Sequence, residues 1–296
     1  MSKVSGGDTP GVSDPATFGE DLAGNFRDVV GIAARHCRDC ADYHIAFCGR
    51  RVANPAAGIS VDRGRIISIV AGLLAAKASH GDAIDVLIVG SADTGLLATA
   101  ARAAFLAGPE VAGRVRYTVL DRCGTPLELC AAYGPRNGLD VSTHLVEVPD
   151  TDLSAAADVI VVHSLFRAVA KARHGALLAL LARWLKADGR LVFSQSLRSA
   201  GEPPRRPQMV ATLMDMIESG GLSLPEPYDV FIARLGRHVA AESVALSEYG
   251  TKGEMLALFA ASPFTAIDVE EMGREATVGG SVVRRRRLIA VLKKLG

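Results

Sequence analysis

Between residues 66 and 74 the apolar positions Ile66, Ile69, Val70, Leu73 and Leu74 fall at i, i+3, i+4, i+7 and i+8, the spacing of one helix face. The pattern then contracts to a continuous apolar run over 84–89, closed by Gly90, which predicts a buried strand; 96–107 is helix-compatible. The alternation repeats. A strand is predicted at 115–120, a helix over 125–133 that Pro126 can open, and strands at 143–148 and 158–163. Leu177, Leu178, Leu181 and Leu185 share a helix face, and 190–195 reads as another strand. Short apolar runs alternating with helices predict an α/β fold: a Rossmann-like, doubly wound and mostly parallel sheet covered on both faces.

Three stretches depart from that rhythm. Residues 1–17 are polar and rich in Gly, Pro and Asp, which predicts a disordered lead-in. Residues 18–63 read as an N-terminal helical cap with a turn-prone stretch at 50–55, and the α/β domain follows over 64–296. Within it, 197–252 reads as an insertion that opens on Pro203-Pro204-Arg205-Arg206-Pro207, with a helix near 209–218 and a strand at 229–233. A helix at 254–261 and strands at 265–271 and 286–293 complete the chain. The link 273–281 is short for a crossover helix, so those two strands are expected to pair antiparallel, giving seven strands in all.

Composition narrows the function. With 49% apolar residues in a 296-residue chain, a sizeable core is assured and whole-chain disorder is excluded. Lys and Arg (33) balance Asp and Glu (32), and aromatics are only 5%, so neither a basic footprint nor a base-stacking surface for nucleic acid is expected. Five cysteines form an odd, sparse set, which suggests a reducing compartment rather than a disulfide framework. The first 24 residues lack an apolar signal core, and the apolar stretch 66–76 is too short to span a bilayer. The expectation is a cytoplasmic, soluble protein with a small-molecule partner, neither membrane nor nucleic acid. The pattern says nothing of oligomeric state.

An open parallel sheet binds its ligand beyond the carboxyl ends of its strands. The first strand ends in Gly90-Ser91-Ala92-Asp93-Thr94-Gly95, where Gly90 permits a sharp turn and small residues let backbone approach an anionic group. The second ends at Asp121, a carboxylate suited to accept from ribose hydroxyls. As written, Gly90-x-Ala92-x-x-Gly95 fits a dinucleotide fingerprint as well as other nucleoside cofactors.

The segments VLIVGSADTG, YTVLD, ADVIVVHSLF, LLARWLKADGRLVFSQ, LFAASPFTAIDVEEMG and RRRRLIAVLKK together resemble the class I S-adenosylmethionine-dependent methyltransferases. The resemblance runs from about residue 65 to the C-terminus outside the insertion. It implies a reversed seventh strand inserted in the sheet and S-adenosylmethionine as cofactor. It places Gly90, Ser91, Ala92, Asp93 and Gly95 at the methionine moiety, and Asp121 with neighbouring Arg122 at the ribose. Glu147 or Asp150 would lie near the adenine, and His163 and Ser164 would face the methyl group or the acceptor. Two positions depart from the pattern: Ile88 stands where the family has an acid, and Ala92 replaces its second glycine.

His163 is the candidate proton acceptor, since an acceptor atom that must lose a proton requires a base. Tyr43 and His44, in the cap, are candidates for the lid of the acceptor pocket. His36, Cys37, Cys40, His44 and Cys48 cluster as metal-ligating residue types, and Cys37, Cys40 and His44 fall at i, i+3 and i+7 on one helix face. Structural zinc sites usually draw ligand pairs from two segments, and no second Cys/His pair is visible, so no metal is expected and the cysteines are assigned to a buried stripe. The run 284–287, all Arg, is expected to be a solvated hairpin edge. The reading is a methyltransferase for a small-molecule acceptor. Its rivals are a non-methylating displacement on S-adenosylmethionine that releases methylthioadenosine, an NAD(P)-dependent oxidoreductase, and a non-catalytic cofactor-binding module.

Overall fold

The computed structural model describes residues 21–37, 40–53, 62–77, 81–148, 157–198, 206–242, 249–278 and 281–295. The expected lead-in 1–17, Asp150 and residues 203–205 of the proline-rich opening lie outside them, while Arg206 and Pro207 begin a helix. Helices α1 (Leu22–His36), α2 (Tyr43–Ala53) and α3 (Arg63–Lys77) precede β1 (Ile84–Val89). Then follow α4 (Gly95–Ala107), the single turn α5 (Pro109–Ala112), β2 (Val115–Asp121), α6 (Gly124–Arg136), β3 (Asp140–Leu145) and β4 (Ala157–His163). Helix α7 (His174–Trp184) leads into β5 (Leu185–Leu197), and α8 (Arg206–Glu218), α9 (Tyr228–Glu242) and α10 (Lys252–Ala260) lead to β6 (Phe264–Val278) and β7 (Ser281–Lys294).

The seven strands form one sheet in the order β3-β2-β1-β4-β5-β7-β6. The pairs among β1 to β5 are parallel, whereas β7 runs antiparallel to both β5 and β6. The sheet is therefore the doubly wound, mostly parallel one the apolar runs predict, with the reversed last strand inserted between its neighbours. Strands β1 and β4 are buried along nearly their whole length, as expected of strands covered on both faces. One face packs on Leu177, Leu181, Trp184 and Phe259 from α7 and α10. The other packs on Ile66, Val70 and Leu74 of α3, Leu97 and Ala104 of α4, and Tyr133 of α6.

A third apolar cluster lies off the sheet. Phe26, Val29 and Val30 of α1 and Ile45 and Cys48 of α2 pack with Leu213 of α8 and Phe231 and Leu235 of α9. The Phe26 and Phe231 rings meet edge to face at 6.0 Å. The cap and the insertion thus form one helical layer.

Several expected boundaries move. The third strand is Asp140–Leu145 rather than 143–148, because this edge strand is largely exposed and its register is set by pairing with β2 (Arg116 to Asp140, Leu120 to His144), not by an apolar run. The strand expected at 229–233 lies inside α9. Its helical period was hidden because Arg234 and His238 occupy core-facing positions beside Phe231 and Leu235. Residues 50–53, expected in a turn, continue α2. The two last strands extend to Val278 and Ser281, so their link is far shorter than 273–281. Among the described residues no helix is long and apolar enough to cross a membrane.

Phe193 of β5 is fully buried, with ring centroids 4.8 Å from Phe166 and 5.4 Å from Phe259. Truncation to alanine removes its dispersion contacts and leaves a cavity that a sheet cannot collapse. Phe193→Ala is expected to cost about 3–5 kcal/mol in urea unfolding with an unchanged m-value. A loss below about 1 kcal/mol would contradict this packing.

Candidate functional site

At the carboxyl edge, Gly90 turns the chain out of β1 with φ +76°, and a Cβ there would lie 2.7 Å from Leu165 Cδ1. Both conformation and space therefore require glycine. The Gly90 amide donates to Leu120 O (2.8 Å), and the Ser91 amide donates to Asp121 Oδ2 (2.8 Å), which fastens the loop to the end of β2. Asp121 Oδ1 accepts from its own turn at the Cys123 amide (2.8 Å). Each oxygen thus carries one backbone donor and keeps lone-pair capacity for another. Burial raises the Asp121 carboxyl above its ordinary range, against the pull of His44 and the two amides.

The cap grips this loop directly. His44 Nδ1 donates to the Ala92 carbonyl (2.8 Å); because a carbonyl only accepts, the proton sits on Nδ1. Arg51 forms a buried ion pair with Asp93, whose other oxygen accepts from the Gly95 amide (2.8 Å). Asn25 Nδ2 donates to Thr94 Oγ1 (3.0 Å). Sequence alone gives no signal for these contacts, because their partners are at least 42 residues apart.

A second group gathers where β4 ends. His163 Nε2 lies 3.3 Å from Asp62 Oδ2, and Arg287 Nε donates to the same oxygen at 2.7 Å. Ser194 Oγ also donates to Asp62. Arg287 further donates to Ser164 Oγ (2.9 Å) and Ser196 Oγ (2.8 Å). Burial alone would raise the Asp62 carboxyl, but the Arg287 guanidinium and His163 hold it well below the usual carboxylate range. Burial, then Arg287, lower His163 despite Asp62 beside it, so the imidazole is neutral at pH 7. The arginine run is not simply a solvated edge: Arg287 is buried in this network and Arg286 donates to Glu271 (2.7 Å). The cause is position, since Arg287 pairs with Ser196 inside the sheet. Asp62 escaped the sequence reading because nothing local marks it.

Arg50 lies over the Phe47 ring (4.5 Å to the centroid), and burial together with the like charges of Arg167 and Arg287 lowers its guanidinium, against the pull of Tyr43 and Asp93. Tyr43 is 37% exposed, with its ring against His44, Phe47 and His238. Hydrogen bonds thus bring together the expected loop Gly90 to Gly95, Asp121 and His44, while His163 and Ser164 belong to the Asp62–Arg287 network. Arg122 and Glu147 are exposed beyond β2 and β3.

Cys123, at the β2–α6 turn, joins Cys37, Cys40 and His44, and the four donor atoms all lie within 4.8 Å of one another. The sequence offers no second Cys/His pair, and this fourth donor comes singly. Hydrogen bonds from Cys37 and Cys40 hold Cys123 well below the ordinary thiol range, and as donors these two rise, Cys37 to about 12.

No family model matches the sequence, and no curated protein is similar to it at a significant level. Solved structures are. TehB from Haemophilus influenzae matches at 12% identity over 75% of this chain, with a TM-score of 0.46. The 1,6-didemethyltoxoflavin-N1-methyltransferase of Burkholderia thailandensis matches at 17% over 78% of this chain and 79% of its own, with a TM-score of 0.45. The mitomycin 7-O-methyltransferase MmcR matches at 15% over 93% of this chain and 73% of its own, with a TM-score of 0.44. The match spans 62% of TehB, less than two thirds of its length. The fold of this chain is Rossmann-like on its own strand order.

The buried Asp62 charge yields a test. Arg287→Met leaves that carboxylate without its guanidinium and is expected to cost about 3–5 kcal/mol at pH 7. In the wild type, Asp62 titrates below its unfolded value, so its contribution is complete above about pH 4 and lost as pH falls further. In the variant, burial raises the carboxyl, so acid relieves the penalty. The stability gap measured by urea unfolding should narrow from pH 7 to pH 4; a constant gap would contradict the pairing.

Proposed function

We propose that this chain is an S-adenosylmethionine-dependent methyltransferase that acts on a small-molecule acceptor. The observation that carries the reading is the sheet: a reversed seventh strand inserted beside β5, with a glycine turn ending β1 and a carboxylate ending β2. The hairpin separates this reading from a nicotinamide-binding sheet, which the Gly90–Gly95 loop alone does not.

The donor set fits the cofactor. Asp121 has an acceptor lone pair on each oxygen for the ribose hydroxyls, and the glycine turn lets a ligand approach the loop backbone closely. When bound, S-adenosylmethionine would supply an electrophilic methyl group. The protein's own part is orientation, water exclusion and, for a hydroxyl acceptor, proton removal. Asp62 is ionised and can only accept, so His163 donates through Nε2 and keeps its lone pair on Nδ1. His163 would then take the acceptor's proton through Nδ1, with Asp62 as its positioning residue. The cap and insertion helices would roof the acceptor, and Tyr43 would line it.

Calorimetry and thermal shift test the cofactor. S-adenosylhomocysteine should raise the melting temperature, while NAD and NADP leave it unchanged. Asp121→Ala should weaken S-adenosylhomocysteine at least tenfold, a loss of about 1.5–3 kcal/mol for charge-assisted bonds, whereas His163→Ala should change it by less than about threefold. Stabilisation by NAD or NADP alone would sink the reading, and an unchanged affinity in Asp121→Ala would remove the ribose assignment.

A further inference from the structure

We propose that Cys37, Cys40, His44 and Cys123 form a tetrahedral Zn²⁺ site that fastens the helical cap to the carboxyl edge of the sheet. The ligands converge from the end of α1, the α1–α2 turn, the first turn of α2 and the β2–α6 turn. Cys37 and Cys40 Sγ each lie 3.8 Å from Cys123 Sγ. Thiolates bound to zinc at about 2.3 Å in a tetrahedron stand about 3.8 Å apart, whereas disulfide sulfurs are about 2.05 Å apart. No disulfide links any of the five cysteines. The spacing is that of ligands around an ion rather than of a bonded pair.

The surroundings suit the metal. His44 spends Nδ1–H on the Ala92 carbonyl, which fixes the tautomer and leaves the Nε2 lone pair for coordination, as second-shell carbonyls do in zinc sites. Thr125 Oγ1 lies 3.2 Å from Cys37 Sγ and 3.5 Å from Cys123 Sγ, and can donate to the thiolates. Three thiolates and one neutral imidazole on Zn²⁺ leave a single net negative charge, and Cys123 caps the N-terminus of α6, where the helix dipole favours an anion. Binding releases the thiol protons to solvent, with no change of oxidation state. Three of the four ligands are buried and Cys40 is half-buried. A closed set of four protein donors is a structural site, without an open position for substrate.

The turn that carries Cys40 is held in place independently of the ligands. Ala41 and Asp42 both adopt left-handed backbone (φ 46° and 56°), and Asp42 is locked by Arg234 (3.0 Å) and Arg237 (3.0 Å) of α9. Cys48 and Cys130 provide an internal contrast: both are buried, yet neither belongs to the cluster. The inference does not rest on the proposed methyl transfer, because the ligand set is the same whatever the neighbouring cleft binds.

Metal analysis of the full-length chain, purified without chelator and without added cofactor, should find one zinc per chain. Cys40→Ser and Cys123→Ser should lose most of it, while Cys48→Ser and Cys130→Ser retain it. Should the ligand variants fail to fold, the wild type still decides. Stripping its metal should lower the melting temperature by roughly 5–10 °C, restored by zinc alone, and one equivalent of Co²⁺ should give the visible spectrum of a tetrahedral thiolate complex. Less than about a tenth of an equivalent retained after loading with zinc and desalting would overturn the site. So would a Cys37–Cys123 disulfide in non-reducing peptide mapping, or equal zinc loss in Cys48→Ser.

Discussion

A carboxylate with no exposed surface must be paired or neutralised, and Asp62 is the place where this chain faces that constraint most sharply. Its partners come from distant parts of the chain: His163 at the end of β4, Ser194 in β5 and Arg287 in β7. Satisfying one charge therefore fixes where α3 begins, where β4 ends and how the reversed strand lies beside β5. The same guanidinium holds Ser164 in its left-handed conformation at the strand end, through a 2.9 Å bond. Geometry at the carboxyl edge is a consequence of this network rather than of local turn preference. It also orients the imidazole that the proposed chemistry uses.

The glycine-loop side of the carboxyl edge follows a similar logic with weaker forces. The sheet core is apolar and continuous, but the helical layer over it meets the Gly90–Gly95 loop through polar contacts: His44 to Ala92, Arg51 to Asp93, and Asn25 to Thr94. Such contacts add little net stability when made and cost more when broken in a buried setting. They specify one docking geometry and penalise others.

The sheet was legible in the sequence because its strands are buried on both faces and so appear as uninterrupted apolar runs, 84–89 and 158–163 most clearly. Legibility failed where burial is one-sided or polar. Strand β3 is an exposed edge whose register comes from β2, and α9 hides its period because Arg234 and His238 face inward. The glycine turn and Asp121 could be read because strand ends announce themselves. Asp62, Arg50, Arg51 and Arg287 could not, since each gains its role from a partner far away in sequence. Cys123 is the clearest case. Two residues after Asp121 it looks like an isolated thiol, and only folding of the cap brings Cys37, Cys40 and His44 to it.

That convergence gives the β2–α6 turn two tasks. Asp121 Oδ1 accepts from the Cys123 amide, while the Cys123 side chain meets the cap, so the residue that anchors the roof is one hydrogen bond from the carboxylate at the end of β2. His44 closes the circuit: one nitrogen faces the thiol cluster and the other holds Ala92 in the glycine loop. The Ser91 amide returns the loop to Asp121. The cap, the glycine loop and the β2 carboxylate are therefore members of a single ring of contacts, and a shift in any one must displace the others or break a part-buried hydrogen bond. Within the described structure, the position of the roof and the geometry of the floor are one variable.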